Sequence, residues 1–157
     1  MLTRKWLSAI VLALLQGVVC AEERPLLPRS HVLFSTDFEG PDALKGWSGK
    51  AGLEPGFEGG QALCIERPAG SPEGSSTVQF TLPVETMRGY LVNFSATIRA
   101  ENVSAKPQPW NGVKFMAPIV AEDGPSWPAA ETPVGTFGWK RFSFAARVPN
   151  DAKSISL

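Results

Sequence analysis

Two tryptophans, Trp110 and Trp127, stand in stretches crowded with proline and glycine, where no repeating apolar pattern offers a large indole a core to enter. An indole held at a surface presents a flat apolar face carrying the negative end of a quadrupole. The slightly positive C–H faces of a sugar ring stack on such a surface, and neighbouring amides or carboxylates pair the hydroxyls. Gln108 and Asn111 flank Trp110, while Glu122 and Asp123 precede Trp127. The arrangement suits a sugar platform, and it suits packing within a loop equally well. For any one of the polar groups the ordinary role is solvated surface. The same holds for Arg99 and Gln79, which fall on the outward side of extended stretches.

Other chemistry is poorly served. His31 is the sole histidine and no G-x-S-x-G motif accompanies it, so a Ser-His-Asp arrangement has no nucleophile. A retaining glycosidase needs two carboxylates ~5–5.5 Å apart and an inverting one ~6.5–9.5 Å. Glu66, Glu101, Glu122 and Glu131 supply carboxylates, but none lies on an inward-facing stripe that would set it in a cleft, so no enzyme is expected within these residues. Asp37 and Glu39 bracket Phe38, and in a strand they would share one side; the alternative is a polar turn. Cys64, within ALCIE, reads as a small buried apolar residue, with a reactive thiol the lesser alternative.

The elements that must position these groups are strands. From Gly89 to Ala100, Tyr90, Val92, Phe94, Ala96, Ile98 and Ala100 alternate with Leu91, Asn93, Ser95, Thr97 and Arg99, a period of two with no helical reading. At ~3.3 Å per residue such a strand runs roughly 40 Å and needs a partner along its length or a bend within it. Val78, Phe80 and Leu82 form a second stripe, and Phe142, Phe144, Ala146 and Val148 a third. Shorter strands are expected at His31 to Thr36, near Trp47, at Gln61 to Arg67, within Gly112 to Ala121 with Pro118 weakening its second half, and from Lys153 onward. Glu122 to Gly135, with three prolines and no period, reads as a long surface loop. With no helix signals beyond the leader, an all-β antiparallel β-sandwich of jelly-roll type is expected.

The leader itself is residues 1–21. Arg4 and Lys5, an apolar run from Trp6 to Leu15 and small residues up to Ala21 form a secretory signal pattern, with cleavage expected before Glu22. The product would be secreted, periplasmic or on the cell surface. A lipoprotein anchored through Cys20 is the lesser reading, because Val19 stands where such a signal wants Gly, Ala or Ser, and the apolar run is shorter than a membrane span. Residues 22–30, charged and proline-punctuated, read as a linker, and 31–157 as one domain. Removing the leader takes two of the fifteen basic residues and none of the fifteen acidic ones, leaving a net charge of −2 and no basic patch for nucleic acid. With Cys64 then the only cysteine, a disulfide framework is excluded.

In order along the chain stand FSTDFEG with GW seven residues on, GGQALCIE, GYLVNFSATIRA and GTFGWKRFSFAARVPNDAKSISL. This series resembles the carbohydrate-binding modules of the CenC-like group, jelly-roll accessory domains of glycoside hydrolases. The resemblance implies non-catalytic binding of a polysaccharide or oligosaccharide, on behalf of a covalently linked hydrolase. It implies structural positions, hence burial, for Trp47 and Trp139, and a structural calcium near Asp37 and Glu39. It also implies one or two further strands after Leu157, so the chain is expected to be a fragment whose sandwich lacks its last strand. The alternatives are a structural N-terminal domain of a hydrolase and an adhesive surface sandwich that binds protein.

Overall fold

The computed structural model describes residues 31–68, 70–72, 74–106, 108 and 111–157; the expected leader and linker lie outside them. Val32–Leu157 forms one compact unit. Its described residues form nine strands: β1 (Trp47–Gly49), β2 (Gly52–Pro55), β3 (Gln61–Cys64), β4 (Val78–Phe80), β5 (Leu91–Val103), β6 (Ile119–Ala121), β7 (Gly124–Ser126), β8 (Gly135–Arg147) and β9 (Ser154–Ile155). Every strand pairing is antiparallel, and the only helical pieces among the described residues are single turns at Phe57–Gly59 and Val84–Thr86. The all-β antiparallel class read from the sequence is the class of the fold.

One layer is the ladder of β5 with β8, thirteen residues each. Its register runs from Leu91↔Arg147 to Ile98↔Lys140, then shifts twice. At the first shift Gly138 and Trp139 face Arg99 alone, and at the second Glu101 and Asn102 face Thr136 alone. Asn102 takes a left-handed φ of 56° there, a conformation asparagine accepts more readily than most residues, and its N–H donates to Thr136 Oγ1 at 3.0 Å. The long strand thus has both the partner and the bend that its length demands.

The other layer is assembled around β9. On one side Ile155 and Ser154 pair with Ile119 and Val120 of β6. On the other, Phe80 N–H donates to Leu157 O at 3.0 Å, Leu82 N–H to Ile155 O at 3.0 Å and Leu157 N–H to Phe80 O at 2.9 Å. With β1 on β4 and β7 on β6, the order across this layer is β1-β4-β9-β6-β7. The core lies between the layers: Leu82, Met87, Ile119 and Ile155 from one side meet Phe94, Ala146 and Val148 from the other. Phe94 and Phe144 stack at 5.0 Å between ring centroids, and Phe115 meets Phe144 edge-on at 5.2 Å. A hairpin of β2 and β3 completes the described strands.

Two expectations change. His31 to Thr36 forms no strand: Leu33 and Phe34 pack against the core, but no backbone ladder joins them among the described residues. Apolar spacing secured the packing, and a strand needs a partner besides. Glu122 to Gly135 is not one long loop. A two-residue turn at Glu122–Asp123 leads into β7, and the register Ile119↔Ser126 continues to a bridge between Met116 and Ala129. Prolines hid this ribbon, which tolerates Pro125 because β7 is a sheet edge.

Candidate functional site

The ribbon of residues 113–121 and 124–132 decides where Trp127 points. Ala117 N–H donates to Pro128 O at 2.9 Å, Ala130 N–H to Phe115 O at 2.8 Å and Thr132 Oγ1 to Val113 O at 2.7 Å. Ala117, Ile119, Ala130 and Thr132 are buried, so the alternate positions face away from the core. Trp127 is one of these, opposite Pro118, and it is 61% exposed. Ser156 N–H donates to Pro118 O at 3.2 Å, and Ser156 bridges Thr81 in turn. Trp127, Pro118, Ser156 and Thr81 therefore make one row across the outer face of the five-stranded layer. At ~4.8 Å per strand the row is about 14 Å long, an indole at one end and hydroxyls at the other. Val120 and Ser154, also exposed and paired, stand in the adjacent row.

The remaining sequence candidates do not join Trp127. Trp110 lies outside the described residues. Asn111 Oδ1 accepts the Gln108 N–H at 3.0 Å, and Gln108 O accepts the Asn111 N–H at 3.0 Å, so the Asn111 carbonyl closes its own turn. Gln108 is exposed. Val113 and Thr132 lie five rungs along the ribbon from Trp127, ~16 Å, and the 108–111 turn lies beyond them.

Asp37 and Glu39 do not share a strand side, since Phe38 between them has φ of 62°. Asp37 Oδ1 accepts the Glu39 N–H at 3.0 Å, a turn closed by the aspartate. Glu39 Oε1 reaches across to accept the Gln61 N–H at 2.5 Å, tying the segment to the start of β3. Calcium takes six to eight oxygens. No group of three or more His, Cys, Asp or Glu side chains that could hold a metal ion occurs among the described residues, and two carboxylates offer at most four of those oxygens.

Trp47 and Trp139 are both half-buried, but in different surroundings. Trp47 packs between Phe38 at 5.5 Å and Phe80 at 5.4 Å. Trp139, placed by the first register shift, has the Arg99 guanidinium 5.3 Å from its ring centroid and Phe57 edge-on at 6.2 Å. Phe57, 50% exposed, was missed in the sequence; the signal was a lone aromatic in the glycine turn PGFEGG. Glu54 pairs with Arg99 at 3.8 Å, and Glu101 with the same guanidinium at 4.0 Å. Cys64 lies beside this group. Burial first, and then its hydrogen bond to Glu54, push the thiol above the ordinary cysteine value.

No protein-family model matches the chain, nor does any curated protein or solved structure. No helix among the described residues is long and apolar enough to cross a membrane.

Proposed function

We propose that this chain is a non-catalytic carbohydrate-binding β-sandwich that takes a polysaccharide on the outer face of its five-stranded layer. The observation that supports this most is the placement of Trp127: an exposed indole on a sheet face, in register with the hydroxyls of Ser156 and Thr81. The indole stacks on a sugar ring, and the serine and threonine pair the hydroxyls of the next rings along the row. A row of outward-facing groups about 14 Å long across the sheet suits a polymer. The module is exported through its leader and serves a glycoside hydrolase joined to it. It raises the enzyme's local concentration on the polymer without entering the chemistry.

Affinity electrophoresis of the purified chain through gels containing cellulose derivatives, xylan, β-glucan or mannan tests the reading. Retardation in one of these, lost in Trp127→Ala and partly kept in Trp127→Phe, is the expected result. Unchanged mobility of a chain shown to be folded by circular dichroism, or retardation indifferent to Trp127→Ala, overturns it.

A further inference from the structure

The outer face of the β5–β8 ladder has a different character. Leu91, Asn93, Ser95 and Thr97 pair with Arg147, Ala145, Ser143 and Arg141, and all eight residues are exposed. This patch carries two positive charges and no carboxylate. The chain from His31 onward, by contrast, holds eleven Lys and Arg against thirteen Asp and Glu. Glu54 and Glu101 flank Arg99, at the other end of β5 from Leu91. Neither Arg141 nor Arg147 has a carboxylate within ion-pair distance among the described residues.

Both guanidiniums are held to the face and still have donors to offer. Arg141 donates from Nη2 to Ser95 Oγ at 2.9 Å, and Arg147 from Nη1 to Gly89 O at 3.4 Å. Each has five N–H donors in a fork that matches a carboxylate. Six residues apart on one strand, they stand ~20 Å from each other, farther than a single sugar ring spans. Between them lie the short hydroxyl and amide groups of Asn93, Ser95, Thr97 and Ser143, and beyond Arg141 the Phe57–Trp139 pair closes the strip. Two arginines are too few for nucleic acid, which is bound through many phosphate contacts. They suit a polymer bearing carboxylates at intervals.

We infer that this face binds an acidic polysaccharide, its carboxylates paired by Arg141 and Arg147 and its hydroxyls by the polar side chains between them. The site is separate from the Trp127 row and does not depend on it.

The test is affinity electrophoresis of the full chain in polygalacturonate, with the methyl-esterified polymer as the neutral counterpart. Retardation in the acid form alone, weakening from 50 to 500 mM NaCl, is expected. Arg141→Gln with Arg147→Gln should weaken it about ten-fold or more, while Lys45→Gln with Lys50→Gln, an equal charge loss elsewhere, should not. Both arginines are exposed, so the variants should keep the wild-type circular dichroism spectrum. Absence of retardation, equal retardation in the esterified polymer, or equal loss in the lysine pair overturns the inference. The neutral-glycan gels report on the Trp127 row independently.

Discussion

Replacing Ile155 by alanine should cost this domain far more than its place in a two-residue strand suggests. The side chain is 1% exposed and belongs to the core cluster. Its strand carries hydrogen bonds to β4 on one side and pairs with β6 on the other. Three carbons leave the core, worth ~2.4 kcal/mol at ~0.8 kcal/mol each. The space they vacate, flanked on both sides by paired strands, collapses only in part and brings the total to about 3–4 kcal/mol. With an unfolding entropy of ~2.1 cal/mol/K per residue over about 126 residues, the midpoint should fall by roughly 11–15 °C. Ile155→Val should lose about 0.5–1.5 kcal/mol. The outward-facing neighbour should tolerate Ser154→Ala within about 0.5 kcal/mol. Thermal unfolding followed by circular dichroism reads all three. An Ile155→Ala shift no larger than that of Ser154→Ala would show that β9 is not inserted between β4 and β6, and the single five-stranded layer would have to be abandoned.

Alkylation of Cys64 followed against pH should give an apparent pKa above the ordinary cysteine value, and Glu54→Gln should lower it by removing the charge and weakening the hydrogen bond. Because the folded state holds the thiol neutral, its contribution to stability is complete below the ordinary cysteine pKa. It is lost as pH rises through the raised one. Gly49→Ala should cost about 1–3 kcal/mol in chemical denaturation, since Gly49 has φ of 102° and a Cβ there would strike the Thr77 carbonyl. Glu39→Ala should lose about 1 kcal/mol by freeing the Gln61 N–H, while Glu39→Gln, which keeps an acceptor, should lose less. A calcium-dependent rise in midpoint for the wild type alone would show Glu39 to be a metal ligand.

The alternation from Val92 to Ala100 and from Phe142 to Val148 was enough to assign both long strands and the face each buries, because period two in side-chain direction is a property of the extended chain itself. The exposure of Trp127 was open in the sequence, as prolines masked the ribbon that carries it. Only the pairing of residues 113–121 with 124–132, a contact between segments, turned the indole outward and set it beside Ser156 and Thr81. Trp139 and Arg99 lie forty residues apart and meet because one register shift sets two residues of β8 against one of β5. Glu39 spends its carboxylate on the Gln61 amide, a partner that sequence spacing does not reveal. Local periodicity resides in the covalent chain and is legible there; register and the pairing of distant strands arise from the competition among backbone partners as the layers close. That competition determined which polar groups remain free for a ligand.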